Sequence, residues 1–218
     1  MEHMPAPVPA PSRITVTGAL VHRTPTRTTR ADLVTEGPLI AAPPSDDGAG
    51  PGERLTIDGS GASVVPLLVE SVFAAPSPPA RDAFDLTPGR PATFAVVDGT
   101  VGPDRITRML VVDPAGLRAV VVDGRVVVRD GAAVRDRGVD DPADPRLGAW
   151  RDARRDMTQY LTPDGRYSET RGGRRDAWTG SFWLDGDRIT YLDDTGFWAF
   201  GQYHDGVLHH AGFVLSRG

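Results

Sequence analysis

The sequence predicts a mainly β protein in which two β-rich units follow one another along the chain. Between residues 13 and 135, short apolar runs with alternating polar positions are separated by Pro, Gly and Asp residues, as in strands joined by turns. From residue 157 onwards, aromatic residues recur at alternating positions between closely spaced Gly-containing turns. We therefore expect a β-domain over 13–135, a linker over 136–156 and a small up-and-down β-barrel over 157–218.

The first predicted strand lies where apolar and polar residues alternate from Ile14 to Val21. Residues 1–12 open with Met1-Glu2-His3-Met4 and continue with Pro and Ala, which indicates a vector-derived sequence and a flexible arm. A loop is predicted at 43–52 from its Pro, Gly and Ser content. Later strands are predicted at 54–57, 63–65, 92–97, 108–112, 117–122 and 125–129, with Asp123-Gly124 as the last turn.

The linker is predicted from the charged, Pro-containing stretch 136–145, and a short helix is predicted after it at 147–155. In the barrel, turn residues recur at short intervals, which is typical of a meander of antiparallel strands. These turns are Pro163-Asp164-Gly165, Gly172-Gly173, Asp185-Gly186, Thr195-Gly196 and Asp205-Gly206.

Composition excludes several classes of function. The formal net charge is −5 and the calculated pI is about 5.5, whereas a nucleic-acid-binding protein would carry a basic excess. All 24 basic residues are arginine and there is no cysteine, so neither a lysine Schiff base nor a thiolate nucleophile or metal ligand is available. No apolar run is long enough to span a membrane. We expect a cytoplasmic protein that needs no metal and no cofactor.

The run Pro66-Leu-Leu-Val-Glu70 resembles the amidohydrolase strand that precedes an Asp-x-His metal motif. Position 70 holds Glu where that family has Asp, and Val72 stands at the position of the first metal-binding histidine. The segments 85–97 and 120–131 resemble the closing half of the same family's composite β-sandwich. The resemblance implies an amidohydrolase-like sandwich over 13–135 that lacks the catalytic, metal-binding barrel.

The C-terminal motifs resemble a small bacterial family of streptavidin-like or calycin-like barrels first described in an agrobacterium. They are Leu161-Thr-Pro-Asp-Gly165, Asp193-Asp-Thr-Gly196 and Gly206-Val-Leu-His-His210. This resemblance implies a fold and not a function. A metal-free amidohydrolase-like scaffold joined to a small barrel also resembles the bacterial Pictet–Spengler cyclases of β-carboline alkaloid pathways, of the marinacarboline and kitasetaline type. In those enzymes a glutamate is thought to act as acid and base, and Glu70 is the position that looks equivalent.

The Pictet–Spengler resemblance implies a reaction between a tryptophan-like arylethylamine and an aldehyde, in which one carboxyl group donates and later removes protons. Glu70 ends an apolar run, so we expect its carboxylate to be poorly solvated. The alternative is that Glu70 caps a turn or pairs with an arginine.

The substrate carboxylate would be held by arginine, since a guanidinium binds a carboxylate through two parallel hydrogen bonds. Arg54 is the first candidate, and Arg171 and Arg174 beside a Gly-Gly turn are the others. Aromatic residues that would stack on the substrate are Tyr160, Trp178 and Trp198, although such residues are more often core. His209 and His210 point to opposite faces of a strand, so one is expected to be an inward polar anchor and the other exposed.

Two further functions remain open at this stage. The protein could be a non-catalytic small-molecule binding protein, or a metal-free cyclase or isomerase that acts on another biosynthetic intermediate. A homodimer is also predicted, since exposed sheet edges need cover. The two units are expected to pack on each other or across the dimer, with the pocket at their junction.

Overall fold

A computed structural model describes residues 11–24, 26–42, 53–108 and 110–218 of the chain. Its architecture is mainly β, as predicted. The predicted loop 43–52, and all but the last two residues of the predicted arm 1–12, lie outside the described residues.

The first unit is a nine-stranded sheet with the strand order β3-β2-β1-β5-β6-β7-β8-β9, in which β4 also pairs with β1. Its strands are β1 (Arg13–Thr24), β2 (Arg27–Glu36), β3 (Leu39–Ile40), β4 (Arg54–Asp58), β5 (Ala62–Pro66), β6 (Phe94–Asp98), β7 (Leu117–Val122), β8 (Arg125–Arg129) and β9 (Ala132–Ala133). Helical segments between them are the 3₁₀ helices Glu70–Ala74, Arg81–Phe84 and Pro114–Gly116 and the helix α1 (Pro103–Arg108).

The sheet is buried on both faces, which explains why its central strands are continuously apolar rather than alternating. Successive residues of β5 and β6 point to opposite faces. Val64 and Val96 belong to a core with the inner residues of β1, whereas Val65 and Val97 belong to a second core on the other face. Trp183, Trp198 and Phe200 of the barrel complete this second core, so the barrel packs directly on the sheet. The predicted resemblance of this sheet to an amidohydrolase sandwich stays a prediction.

The second unit is a closed barrel of eight antiparallel strands, which confirms the predicted barrel. The strands are β10 (Gly148–Asp152), β11 (Met157–Leu161), β12 (Arg166–Arg171), β13 (Arg174–Asp185), β14 (Arg188–Asp193), β15 (Trp198–His204), β16 (Val207–His210) and β17 (Phe213–Arg217). Each strand pairs with the next along the chain, and β10 pairs with β17 to close the ring. Large side chains fill the interior, including Trp150, Phe182 and Tyr191.

Two of the predicted elements are wrong. The helix predicted at 147–155 is replaced by β10, because Trp150 and Asp152 point inwards while Arg151 between them is exposed. The strand predicted at 108–112 is also absent from the described residues there: Arg108 ends α1, and Val112 forms only an isolated bridge with Trp198.

Candidate functional site

A groove opens at one end of the barrel, where the hairpin of β12 and β13 projects beyond its neighbours. Strand β13 has twelve residues, but β14 pairs only with its second half, from Gly180 to Asp185. The groove beside the free half has a volume of about 540 Å³. Its lining residues are Arg171, Arg174, Asp176, Ala177, Trp178, Thr179, Asp194 and Thr195. Three residues singled out in the sequence, Arg171, Arg174 and Trp178, therefore meet at one site.

Trp178 is the largest apolar side chain that lines the groove. Its side chain is 41% exposed, although a Trp indole is usually well buried. The Arg171 guanidinium carbon lies 5.9 Å from the centre of the Trp178 ring and 5.0 Å from that of the Phe213 ring. These distances are within the range of cation–π attraction, so the rings help to position Arg171 at the barrel end.

A group of buried polar residues beneath the groove fixes Arg171 from the other side. Arg171 donates from Nε to Glu169 Oε2 at 2.7 Å, and its Nη2 lies 2.5 Å from the same oxygen. Glu169 is 1% exposed and also accepts a hydrogen bond from Gln159 Nε2 at 3.0 Å. Gln159 Oε1 in turn accepts from the Tyr191 hydroxyl at 2.8 Å. We call Gln159, Glu169, Arg171, Tyr191 and His210 the barrel cluster.

Burial is the largest cause of the pKa shifts of Glu169 and His210 in the barrel cluster. It raises the pKa of Glu169, an effect that the adjacent Arg171 opposes. Burial lowers the pKa of His210 to about 4, and the Arg171 charge acts in the same direction. His210 Nε2 lies 3.7 Å from Glu169 Oε1. At neutral pH the imidazole is therefore uncharged, and Arg171 is the cationic partner of Glu169.

The other charged residues of the groove are Asp194, Arg174 and Asp176, and they differ in whether they are paired with other protein groups. Asp194 accepts from both terminal nitrogens of Arg166 and from the Thr179 hydroxyl. The hydrogen bond from Arg166 is the main reason that the pKa of Asp194 falls to about 2. Among the described residues, neither Arg174 nor Asp176 forms an ion pair. One cation and one anion beside an exposed indole are therefore available to a ligand.

Glu70 lies elsewhere, at the start of the 3₁₀ helix Glu70–Ala74 that follows β5. Its side chain is 42% exposed and its Oε1 accepts two hydrogen bonds from Arg81 at 3.3 Å. The expected poor solvation therefore holds for one carboxylate oxygen, Oε2, which is buried, although the side chain as a whole is partly exposed. The alternative of pairing with an arginine is present at Oε1. Glu70 does not line the groove.

Arg54 and Glu70 are not brought together. Arg54 is paired in register with Arg13 at the start of β1, whereas Val64 of the strand before Glu70 is paired with Val21. At roughly 3.3 Å per residue, those two positions on β1 are about 25 Å apart. Arg54 therefore lies near the opposite end of the sheet from Glu70.

Three other predicted site residues are placed outside the groove. Trp198 is fully buried where the barrel meets the sheet, and its Nε1 donates to the Gly131 carbonyl at 3.0 Å, so the prediction that it stacks on a substrate is wrong. Tyr160 is exposed but does not line the groove. His209 is buried beside the Glu70–Ala74 helix, with Nδ1 3.1 Å from Ser71 Oγ. His210 is also buried, so the expected exposure of one of the two histidines is wrong.

Comparison with known proteins yields one family, whose model matches residues 143–217 and is described as Agrobacterium tumefaciens protein Atu4866. Residues 143–217 belong to this family. The predicted agrobacterial resemblance is thereby confirmed, and the match starts before β10, in agreement with the inclusion of that strand in the barrel.

A solved structure also matches the Atu4866 region. The solution structure of the protein Atu4866 from Agrobacterium tumefaciens is 42% identical over a match that covers 34% of this chain and 94% of that one, with a TM-score of 0.31. A comparison with curated proteins finds no match. Among the described residues, no helix is long and apolar enough to cross a lipid bilayer.

Sequence reasoning missed two features of the Atu4866 region. Glu169 was not singled out, although Tyr167, Glu169 and Arg171 alternate with polar residues along β12 and so mark one face of the strand. Asp176 was not singled out either, because its place in the groove depends on the overhang of β13. The alternation was a usable signal, whereas the overhang was not visible in the sequence.

Proposed function

We propose that the protein binds a small aromatic molecule that carries a carboxylate and an amino group, in the groove at the open end of the barrel. The observation that carries this proposal is the exposed Trp178 indole beside Arg174 and Asp176 in one groove of about 540 Å³. That volume is within the usual range of roughly 300–1,000 Å³ for small-molecule sites. The function is that of a binding protein, and no chemical step is assigned to the groove.

Each part of such a ligand has a partner of suitable chemistry. The ring would stack on Trp178, and the carboxylate would accept hydrogen bonds from Arg174. The ammonium group would face Asp176. Arg171 is held by Glu169 and two aromatic rings, so it would shape the site and add positive potential without moving.

Isothermal titration calorimetry with L-tryptophan as the probe tests this proposal. Trp178→Ala should weaken binding about 5-fold to 150-fold, because a ring stacked on a side chain contributes roughly 1–3 kcal/mol. Arg174→Gln should weaken it by a similar factor, since a hydrogen bond to a charged group contributes about 1.5–3 kcal/mol.

Tyr160→Ala is a matched control, because Tyr160 is as exposed as Trp178 but lies outside the groove. Its affinity for L-tryptophan should equal that of the unchanged protein. Absence of binding by the unchanged protein, or equal losses in the Trp178 and Tyr160 variants, would contradict the proposal.

A second candidate function is the Pictet–Spengler condensation of an arylethylamine with an aldehyde, with Glu70 as acid and base. One observation favours it: Glu70 Oε2 is shielded from solvent and has no hydrogen-bond partner among the described residues. That oxygen is available for proton transfer, while Oε1 is held by Arg81. The amidohydrolase-like origin of residues 13–135 is part of this second proposal.

The cyclase is tested by incubating the protein with L-tryptophan and a panel of aldehydes, without metal or cofactor. Mass spectrometry should detect amine plus aldehyde minus water, formed stereoselectively. Glu70→Gln should slow this reaction at least about 100-fold, the usual contribution of a general acid or base. Asp82→Asn removes a carboxylate from the neighbouring 3₁₀ helix and should leave the rate unchanged. An unchanged rate in Glu70→Gln excludes Glu70 as the catalyst.

A further inference from the structure

A second cavity, the junction cavity, lies between the sheet and the opposite end of the barrel from the groove. Its volume is about 250 Å³. Phe84 and Asp123 line it from the sheet side, and Asp187, Gln202 and His204 line it from the barrel. The volume is below the usual range for drug-sized ligands, so a ligand of this cavity would be small.

Gln202 is a buried polar residue of the cavity whose hydrogen-bonding capacity is only partly used. It lines the cavity, is 4% exposed, and donates from Nε2 to Asp187 Oδ2 at 2.9 Å. This bond fixes the amide orientation, because the reverse orientation would place two oxygen atoms against each other. Gln202 Oε1 has no hydrogen-bond partner among the described residues. A buried acceptor without a donor is destabilising, and a ligand that donates a hydrogen bond would satisfy it.

Two neighbouring groups of the cavity, His204 and Arg188, already donate hydrogen bonds within the protein. His204 Nε2 lies 2.7 Å from the Ser77 carbonyl oxygen. Because a carbonyl only accepts, His204 donates this hydrogen bond from Nε2. Two of the three Arg188 guanidinium nitrogens are engaged: Nη1 donates to the Leu67 carbonyl at 2.7 Å and Nε to Asp187 Oδ1 at 3.1 Å.

The charged residues that line the cavity favour a positively charged ligand. Two carboxylates, Asp123 and Asp187, line the cavity against one guanidinium, Arg188. Apart from His204, the charged groups that line the cavity are two negative and one positive. Phe84 supplies a flat apolar wall, and the Arg188 guanidinium carbon lies 5.3 Å from its ring centre. The cavity therefore offers acceptors and negative charge on one side and an aromatic surface on another.

We propose that the junction cavity binds a small primary amine. Its ammonium group donates to Gln202 Oε1 and faces the carboxylates of Asp123 and Asp187, and its hydrocarbon part packs against Phe84. The site is separate from the groove and does not depend on the function proposed there.

Calorimetry with 2-phenylethylamine and with 3-phenylpropanoate, which has a carboxylate in place of the ammonium group, tests the charge preference. The amine should bind at least about tenfold more tightly than the carboxylate. Gln202→Leu removes the acceptor at similar volume and should weaken amine binding about tenfold or more. Ala83→Leu fills the cavity from the partly exposed 3₁₀ helix Arg81–Phe84 and should abolish binding without removing any polar contact.

Trp178→Ala in the groove is the control that separates the two sites, and it should leave amine binding unchanged. Thermal melting of each variant confirms that it is folded. Stronger binding of the amine, lost in Ala83→Leu and retained in Trp178→Ala, supports the proposal. It is overturned if the amine does not bind, if the carboxylate binds equally well, or if binding is lost in Trp178→Ala rather than in Ala83→Leu.

Discussion

Two glutamates illustrate how environment rather than residue type determines a role. Glu70 and Glu169 each pair with an arginine, but Glu70 lies on a half-exposed 3₁₀ helix, whereas Glu169 is inside the barrel. A solvent-exposed ion pair is screened and contributes little, typically below about 1 kcal/mol. The buried pair is accompanied by hydrogen bonds from Gln159 and so holds the arginine in one position. Sequence alone shows the carboxylates but not this difference in burial.

The buried histidine of the barrel cluster predicts a loss of stability in mild acid. The pKa of His210 is about 4 in the folded protein, because burial disfavours the charged ring, against about 6.5 when unfolded. The unfolded chain therefore binds the proton first, and the His210 contribution is lost progressively as the pH falls from about 6.5 to about 4. The difference between these two pKa values corresponds to a loss of at most about 3 kcal/mol in the free energy of unfolding. Burial also lowers the pKa of His22 and His209, which act in the same direction.

Urea unfolding followed by tryptophan fluorescence between pH 4 and pH 8 measures this effect. His210→Leu should flatten the acid limb of the profile. His204→Gln removes a partly exposed histidine and should leave most of the slope. Glu169 opposes the trend, because burial raises its pKa and protonation then favours the folded state. An unchanged acid limb in His210→Leu would show that the imidazole is not the titrating group.

At the level of elements, local patterns predicted what depends on local chemistry. In the barrel, the turn residues predict the meander of antiparallel strands. In the sheet, the predicted turn Asp123-Gly124 joins β7 and β8, with both residues at positive φ. Strand β2 was not predicted, because its first half is Arg- and Thr-rich and largely exposed, and it is a strand only through its pairing with β1. The sequence predicts a helix where β10 lies, because closing the barrel pairs this strand with the distant β17. Pairing across long sequence separations leaves no local signal.

The residues of the two cavities show the same limit: those close together in the sequence could be predicted, and those brought together by tertiary packing could not. Arg171 and Arg174 are predicted together because they flank one Gly-Gly turn, whereas Trp178 is predicted separately, as a stacking aromatic residue. Asp187, Gln202 and His204 of the junction cavity were not predicted, because they meet Phe84 and Asp123 only when the two units pack on each other.

At the level of the whole molecule, the two units share one core. The second core joins valines of the sheet to Trp183, Trp198 and Phe200 of the barrel, and Val112 and Trp198 exchange two backbone hydrogen bonds. The units should therefore unfold together rather than separately. The two ends of the strand order are the two-residue strands β3 and β9, and such short edges limit pairing with another chain. The homodimer stays a prediction.

Trp198→Ala tests this shared core. Removing a fully buried indole should cost about 3–5 kcal/mol, and it also leaves the Gly131 carbonyl without its donor. Trp178→Ala, which removes an exposed indole, should cost less than about 1 kcal/mol. Guanidinium unfolding by circular dichroism should show one transition that shifts markedly for Trp198→Ala only. Two separate transitions in the unchanged protein would contradict a shared core.

The closure of the barrel by β10 and β17 sets an order of events during synthesis. The ribosome makes β17 last of the eight strands, so β10 has only one barrel neighbour until β17 emerges. Until then the incomplete ring presents two open strand edges and the partly uncovered aromatic residues of its interior. The nine-stranded sheet is synthesised earlier, so its apolar face is available for the unfinished ring to pack against. The sheet would then act as an internal chaperone for the barrel that follows it.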